Sequence, residues 1–308
     1  MEAIEYLTYW PWYVYALIAA VAVGIKVVFQ KGELKKEHSL DYVVAMSLVA
    51  MIISLFLWPW IKWETVTWDL IGYIYLASVL GSISIWLGAK ALRHLDVSVV
   101  APQQVMGTLF TLGLAAIILG DQLTYLQWIG VAVMVGSGLM LTKDSFFATH
   151  PFGWPSGIPL GGKDHKQTII YYELMLLFSI IALSIASIID KVILGITDPV
   201  TFIFIVSIFL FINHLILYWA LEGDIRSIPD KVENLGWIIV GIALLTTTAR
   251  LAYSQSLSLA DISLVVPLKK SSILISTIWG GRMFKEGHLL FRVLMAILML
   301  FGVWFLVQ

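Results

Sequence analysis

The chain has 308 residues, of which 60% are hydrophobic and only 13% are charged, whereas a soluble domain carries about 25% charged residues. This composition excludes an ordinary soluble domain and predicts an all-α integral membrane protein. The net charge of −1 offers no basic surface for nucleic acid. The absence of cysteine excludes disulfides and cysteine metal sites.

Apolar segments of about 20 residues, the length that crosses a bilayer, recur along the whole chain and predict ten transmembrane helices. The first segment follows Glu2 and Glu5 instead of a basic region, so it is predicted to remain as a span rather than to be cleaved as a signal. The predicted helices cover residues 10–29, 42–60, 68–92, 98–119, 123–141, 169–194, 200–221, 235–257, 262–284 and 289–307.

The sequence contains an internal repeat. The run LDVSVVAPQQVMGTLFTLGLAAIILGDQL (95–123) aligns with ADISLVVPLKKSSILISTIWGGRMFKEGH (260–288) at an offset of 165 residues. Each half contains five predicted helices, and an odd number inverts the second half in the membrane. We therefore predict two inverted five-helix repeats, residues 1–142 and 169–308, joined by a cytoplasmic linker at 143–168, which is rich in Gly, Pro and charge.

Basic residues are unevenly distributed between the two ends of the predicted helices. The end reached by the first helix, called face B, has 13 lysines and arginines in its loops, whereas the opposite end, face A, has Lys62 and Lys191. Because cytoplasmic loops carry an excess of positive charge, face B is predicted to be cytoplasmic and both termini external. The expected location is the plasma (inner) membrane.

The residues at corresponding positions of the two halves resemble a known family. Pro102 and Pro267 follow an apolar residue in the fourth and ninth helices, and Asp121 and Glu286 close those helices. With the Gly-rich fifth helix QWIGVAVMVGSGLML, they resemble EamA-type members of the drug/metabolite transporter superfamily. The resemblance implies two inverted five-helix bundles, alternating access and small metabolite or drug substrates. Family members are usually drawn with cytoplasmic termini, the opposite of what the charge count predicts.

Cationic residues inside predicted spans are the strongest candidates for a site. An ionised side chain in a span costs at least about 2.5–3.5 kcal/mol, so it normally faces an aqueous cavity or a partner. Lys269 and Lys270 in the ninth helix are predicted to bind an anion, with at most one of them facing the cavity because adjacent positions differ by 100°; snorkelling is the alternative. Arg250 either binds a carboxylate or phosphate or pairs internally. Further predicted substrate-binding residues are Gln103, Gln104 and Tyr253.

Five titratable residues are candidates for proton coupling or gating. Glu173 and His214 lie in or near spans, where an interfacial or hydrogen-bonded role is the alternative. Asp190 and Lys191 end the sixth helix, and the alternative for them is to anchor that end. Lys26, the partner of Lys191 at the offset of 165, is predicted to gate the opposite side. Asp96 and Asp261 precede the fourth and ninth helices and are predicted to cap them.

The leading functional prediction is a secondary transporter of a small, anionic metabolite that works by alternating access between the repeats. No GxxxxGK[ST] motif is present for an ATP-driven pump, and no HExxH or GxSxG motif for an enzyme. The alternatives are a translocator of lipid-linked sugars or lipid phosphates and a non-transporting membrane subunit. We expect no cofactor and no metal; the partners are a small-molecule substrate and the lipid bilayer, with a homodimer left open.

Overall fold

The computed structural model describes residues 10–95, 97–149, 163–222 and 225–283, together with residues 294, 295, 297, 298, 301, 302, 304 and 305. None of these residues lies in a strand, so the predicted all-helical class is confirmed. The helices are α1 Trp12–Leu34, α2 Ser39–Leu55, α3 Trp68–His94, α4 Val97–Ile118, α5 Tyr125–Thr149, α6 Lys163–Leu194, α7 Pro199–Leu221, α8 Ile228–Leu259, α9 Ile262–Lys270 and α10 Ser272–Met283.

Two helices differ from prediction for reasons of local backbone chemistry. Helix α2 ends at Leu55 rather than at residue 60 because a proline disfavours helical geometry in the residue before it. There Pro59 lies in the first of two short 3-10 turns, Trp58–Trp60 and Trp63–Thr65. Helix α8 begins seven residues before the predicted start, but Gly236 within it has a φ of +59°. The predicted start therefore coincides with a kink.

The predicted helix 262–284 is two helices in the structure. Pro267 has no N–H with which to continue the helical hydrogen bonds, and α9 ends three residues later at Lys270. The Ser271 N–H donates to the Leu268 carbonyl at 3.0 Å, and the Leu274 N–H donates to the Ser271 carbonyl at 3.0 Å. The chain thus makes a tighter turn at Ser271 before α10 begins.

The predicted linker is partly helical, since α5 extends to Thr149 and α6 begins at Lys163. Residues 150–162 lie outside the described residues. The described residues of the tenth predicted helix are helical, and the other residues of that segment also lie outside the described part.

Six helical segments in the described residues are long and apolar enough to cross a membrane. They are Trp12–Leu34, Trp68–His94, Tyr171–Leu194, Pro199–Leu221, Ile225–Leu259 and Ile262–Gly280. Three shorter segments, Ser39–Leu55, Gly107–Ile118 and Tyr125–Ser137, are also apolar. The chain is therefore a multi-pass membrane protein.

The interior contains two large apolar clusters, one towards each face. The face A cluster includes Ile74 near the start of α3, Phe202 near the start of α7, and Leu257 at the end of α8. The face B cluster includes Leu34 at the end of α1 and Leu92 near the end of α3. The most extensive helix contacts are those of α3 with α6 and of α1 with α8, so helices from the two halves of the chain interleave around the interior.

Candidate functional site

A cavity of about 280 Å³ lies in the interior and is lined by α1–α4 and α6–α10. Its lining includes Leu92 and Val100, which flank the α3–α4 turn at face B. No described residue of the α2–α3, α4–α5, α6–α7 or α8–α9 connections, which lie at face A, contributes to the lining. The cavity is therefore displaced towards face B. A volume near 300 Å³ is at the small end of ligand sites and suits a small metabolite.

Four cationic side chains line the cavity. Lys26 comes from α1, Arg250 from α8, and Lys269 and Lys270 from the last turn of α9. No carboxylate is among the described lining residues. The cost of placing a cation at membrane depth therefore applies four times within one small space, and a negatively charged ligand is the group that would offset it.

The two adjacent lysines both reach the cavity, so the prediction that at most one would do so is wrong. That prediction assumed a continuous helix, on which neighbouring side chains diverge by 100°. The structure ends α9 at Lys270, where the following turn frees the second lysine from that constraint. The C-terminal end of a helix also favours positive charge.

Tyr253 supports Lys269 instead of lining the cavity. The Lys269 Nζ atom lies 3.4 Å from the centroid of the Tyr253 ring, which is 7% exposed. A cation over an aromatic face is attracted by the ring quadrupole. The phenol therefore holds one lysine in position, a role that its spacing in the sequence did not indicate.

Asp190 is the acidic residue nearest to the cationic cluster among the described residues. It interacts electrostatically with Arg250 and Lys269 but does not line the cavity. It forms no direct ion pair with either of them. Arg250 consequently contributes to the cavity lining while a carboxylate partly balances its charge from behind.

The remaining predicted site residues fall in different places. Gln104 and His214 line the cavity, whereas Glu173, on α6, does not. The side chain of Gln103 lies outside the described residues. Lys26, predicted as a gate, is one of the four cavity cations.

Lys191 anchors a helix end. Its Nζ donates to the carbonyl oxygens of Leu257 at 2.7 Å and Ala260 at 2.8 Å, at the end of α8. Basic side chains near a helix C-terminus satisfy its free carbonyls in this way. The lysine with matching contacts in the first half is Lys31, and not Lys26 as the offset of 165 predicts.

Lys31 donates to the carbonyl oxygens of Leu92 at 2.6 Å and Leu95 at 2.7 Å, at the end of α3. It is 5% exposed. The sequence analysis counted it only as a loop charge, although its position near the end of the first helix, like that of Lys191 in the sixth, was a usable signal.

Asp121 caps α9 from the other half of the chain. Its carboxylate accepts hydrogen bonds from the Ser263 N–H at 3.2 Å and from the Ser263 hydroxyl. Asp261, the predicted cap, makes no side-chain cap hydrogen bond. Asp96, the other predicted cap, lies outside the described residues.

Three further links at face A join residues from opposite halves. The Lys62 N–H donates to the Thr201 hydroxyl at 2.9 Å, and the Thr65 and Thr197 hydroxyls are 2.7 Å apart. The Ser256 hydroxyl donates to the carbonyl of Trp12, at the start of α1, at 2.8 Å. Together with Asp121 and Ser263, these links make the face A latch.

Comparisons with known proteins agree with this arrangement. No curated protein matches the chain. A solved structure described as "Crystal structure of protein" has a TM-score of 0.60 and 12% sequence identity, covering 93% of this chain and 95% of that chain. At this identity the likeness concerns the fold alone.

A family model described as the EamA-like transporter family matches residues 10–143. The resemblance inferred from the prolines and acidic residues is thereby confirmed. The chain is a multi-pass membrane protein whose residues 10–143 belong to the EamA-like transporter family.

Proposed function

We propose that this protein is a secondary transporter, without catalytic activity, that moves a small organic anion by alternating access through the central cavity. The observation that carries the proposal is the lining of that cavity: Lys26, Arg250, Lys269 and Lys270 face it, and the described lining contains no carboxylate. Arginine offers a planar fork for a carboxylate or phosphate, and lysine adds compact positive charge.

Both halves of the chain supply this charge. Sequence comparison of the fourth and ninth helices gave a one-sided site, because Gln104 and Val105 align with the two lysines. Lys26 on α1 adds a cation from the first half and interacts electrostatically with Arg250. An anion bound between them would contact both halves, which is what a substrate must do to couple their movement.

We further propose ten transmembrane helices in two inverted repeats, with boundaries at 1–142 and 169–308. The matching contacts of Lys31 with Leu92 and of Lys191 with Leu257 support this architecture. Lys191 lies 160 residues after Lys31, whereas Leu257 lies 165 residues after Leu92. One five-residue difference between the repeats explains both offsets.

Helix packing gives independent support to the repeat. Ser184 on α6 donates to the carbonyl of Gly107 on α4 at 3.2 Å. In the first half Gly24, 160 residues before Ser184, packs against the carbonyl of Ser272, which is 165 residues after Gly107. The same pair of offsets thus relates two contacts at different depths.

The displacement of the cavity supports alternating access. The cavity extends towards face B, and the face A latch and the face A cluster lie on the other side of it. We take this to be the conformation closed at face A. Opening that face would break hydrogen bonds between the halves, including the one from Ser263 to Asp121.

The test is binding and counterflow with purified protein in liposomes, using a panel of organic acids and phosphate esters. Replacing Lys269 and Lys270 together by alanine should lower affinity for the bound anion by at least about a hundredfold, because charge-assisted contacts contribute about 1.5–3 kcal/mol each. Lys35→Ala with Lys36→Ala removes the same charge from an adjacent pair outside the cavity and should leave binding unchanged.

Unchanged anion affinity in the Lys269 and Lys270 double variant would contradict the proposal. Headgroup movement in vesicles without solute uptake would instead favour a lipid-phosphate translocator.

A further inference from the structure

His214 is a buried polar residue that the cationic site does not use. Its side chain is 0% exposed and lines the cavity from α7. The imidazole lies beside the backbone of Ser82 on α3, but neither ring nitrogen meets hydrogen-bond geometry with any described residue. Because an unsatisfied buried polar group costs about 1–3 kcal/mol, this placement points to a ligand group that pairs with the ring.

The wall around His214 is formed by α3 and α7. Ser207 lies seven residues before His214 on α7, which is two helical turns and the same face, and both line the cavity. Ser84 on α3 lines it as well, and Asn213 joins α7 to α3 through the Ser78 hydroxyl at 3.0 Å. We call Ser84, Ser207 and His214 the α3–α7 wall.

The hydroxyl hydrogens of this wall are already committed. The Ser207 hydroxyl donates to the Ile203 carbonyl at 2.7 Å. The Ser179 hydroxyl donates to the Ser84 carbonyl at 2.8 Å, so the 3.2 Å contact between the two serine hydroxyls takes its hydrogen from Ser84. Ser84 and Ser207 therefore present lone pairs to the cavity, and the matching ligand group is a hydrogen-bond donor.

The donor that fits is a hydroxyl rather than an ammonium group. An uncharged imidazole offers one donor and one acceptor, the pair that a single hydroxyl fills. A substrate ammonium group would lie near four like charges on Lys26, Arg250, Lys269 and Lys270. Arg250 is within electrostatic range of His214, so one small molecule can reach both.

We propose that the α3–α7 wall is a second recognition point, at which His214 binds a hydroxyl group of the anionic substrate. The substrate class is then small organic anions that carry hydroxyl groups, with His214 as the residue that selects them. This inference rests on the proposed anion transport. It adds a neutral subsite that the cations do not explain.

The experiment compares two pairs of probes that differ only in hydroxyl groups: glycerol 3-phosphate against propyl phosphate, and glycerate against propionate. In at least one pair the wild-type protein should bind the hydroxylated member about tenfold more tightly, the value of one hydrogen bond plus the avoided loss at the ring. His214→Phe should reduce that ratio to near one while leaving the unhydroxylated probe unaffected.

Conservative variants distinguish recognition from packing. His214→Gln keeps a donor and an acceptor and should retain the preference. Ile212→Phe, a change on the same helix at a 39% exposed position, should behave as wild type. Thermal denaturation checks the folding of each variant, and His214→Ala replaces His214→Phe, with the same expectation, if the latter does not fold.

Three results would overturn the inference: equal binding of both members of each pair by the wild type, an unchanged ratio in the variant without the imidazole, or loss of the preference in His214→Gln. Failure of the proposed function looks different, because then no probe of either pair binds. A drop in both members of a pair on replacing Lys269 and Lys270, with the ratio preserved, would support separate roles for the two subsites.

Discussion

At the scale of residues, the positions of the buried cations decide what the cavity can bind. Lys269 rests on the Tyr253 ring, and Arg250 lies between the cavity and Asp190. Each cation therefore has one partner in the protein and one side available to a ligand. This arrangement fixes charge in place before a substrate arrives, which lowers the ordering cost of binding.

Arg250→Lys tests whether the shape of the guanidinium matters beyond its charge. Lysine keeps the charge but cannot form the two parallel hydrogen bonds of the arginine fork. We expect affinity for the bound anion to fall by about tenfold to a hundredfold, measured by equilibrium binding in detergent. Arg282→Lys, at an exposed position in α10, is the control. Wild-type affinity in Arg250→Lys would assign this residue a structural role.

The cationic residues could be recognised from sequence because charge is rare at membrane depth. Lys269, Lys270 and Arg250 stand out in apolar runs for that reason. The α3–α7 wall could not be recognised in the same way, since serines at helical spacing equally serve close helix packing. Only the three-dimensional arrangement distinguishes Ser207, which faces the cavity beside His214, from the many other serines.

At the scale of elements, the close approach of α1 to α10 depends on one glycine. A Cβ atom at Gly24 would lie 2.6 Å from the Ile275 Cβ and 2.9 Å from the Ser272 carbonyl oxygen. No ordinary contact between carbon atoms is this short, so any side chain would separate the helices. Helix interfaces in membranes use small residues in this way.

Gly24→Ala should lower the free energy of unfolding by about 1–3 kcal/mol, the usual cost of overpacking. Gly32→Ala, in the same helix with no atom within 4 Å of its added Cβ, should be neutral or stabilise by about 0.5–1 kcal/mol through helix propensity. Thermal unfolding in detergent measures both. Equal melting temperatures for the two variants would contradict the predicted contact.

Helix positions were mostly predictable, and the exceptions have backbone causes. The starts of α3 and α7 and the ends of α6 and α7 lie within one residue of prediction. The break at Ser271 was missed because a proline near a helix start is normally tolerated. Its effect appears only where the helix must also turn beside the cavity.

At the scale of the whole molecule, the face A latch should set the balance between conformations. Removing the carboxylate of Asp121 takes two hydrogen bonds from Ser263 and should favour opening at face A. The chain contains no cysteine, so a single cysteine introduced at Val266, a 6% exposed member of the face A cluster, reports access there without background.

Asp121→Ala should raise the rate at which a membrane-impermeant maleimide labels Val266→Cys by about tenfold, corresponding to the loss of a charge-assisted bond. Asp69→Ala removes an exposed carboxylate near the same face and should leave the rate unchanged. Identical labelling with and without Asp121 would show that this link does not limit opening.

The two buried lysine ammonium groups have a mechanical consequence. Lys31 fastens the end of α1 to the end of α3, and Lys191 fastens α6 to α8. Each first helix must then tilt together with the third helix of its own half, as one rigid lever. A stroke at either leaflet is transmitted through an amine clamped on two carbonyls, and severing one clamp would leave that lever loose while the other still swings.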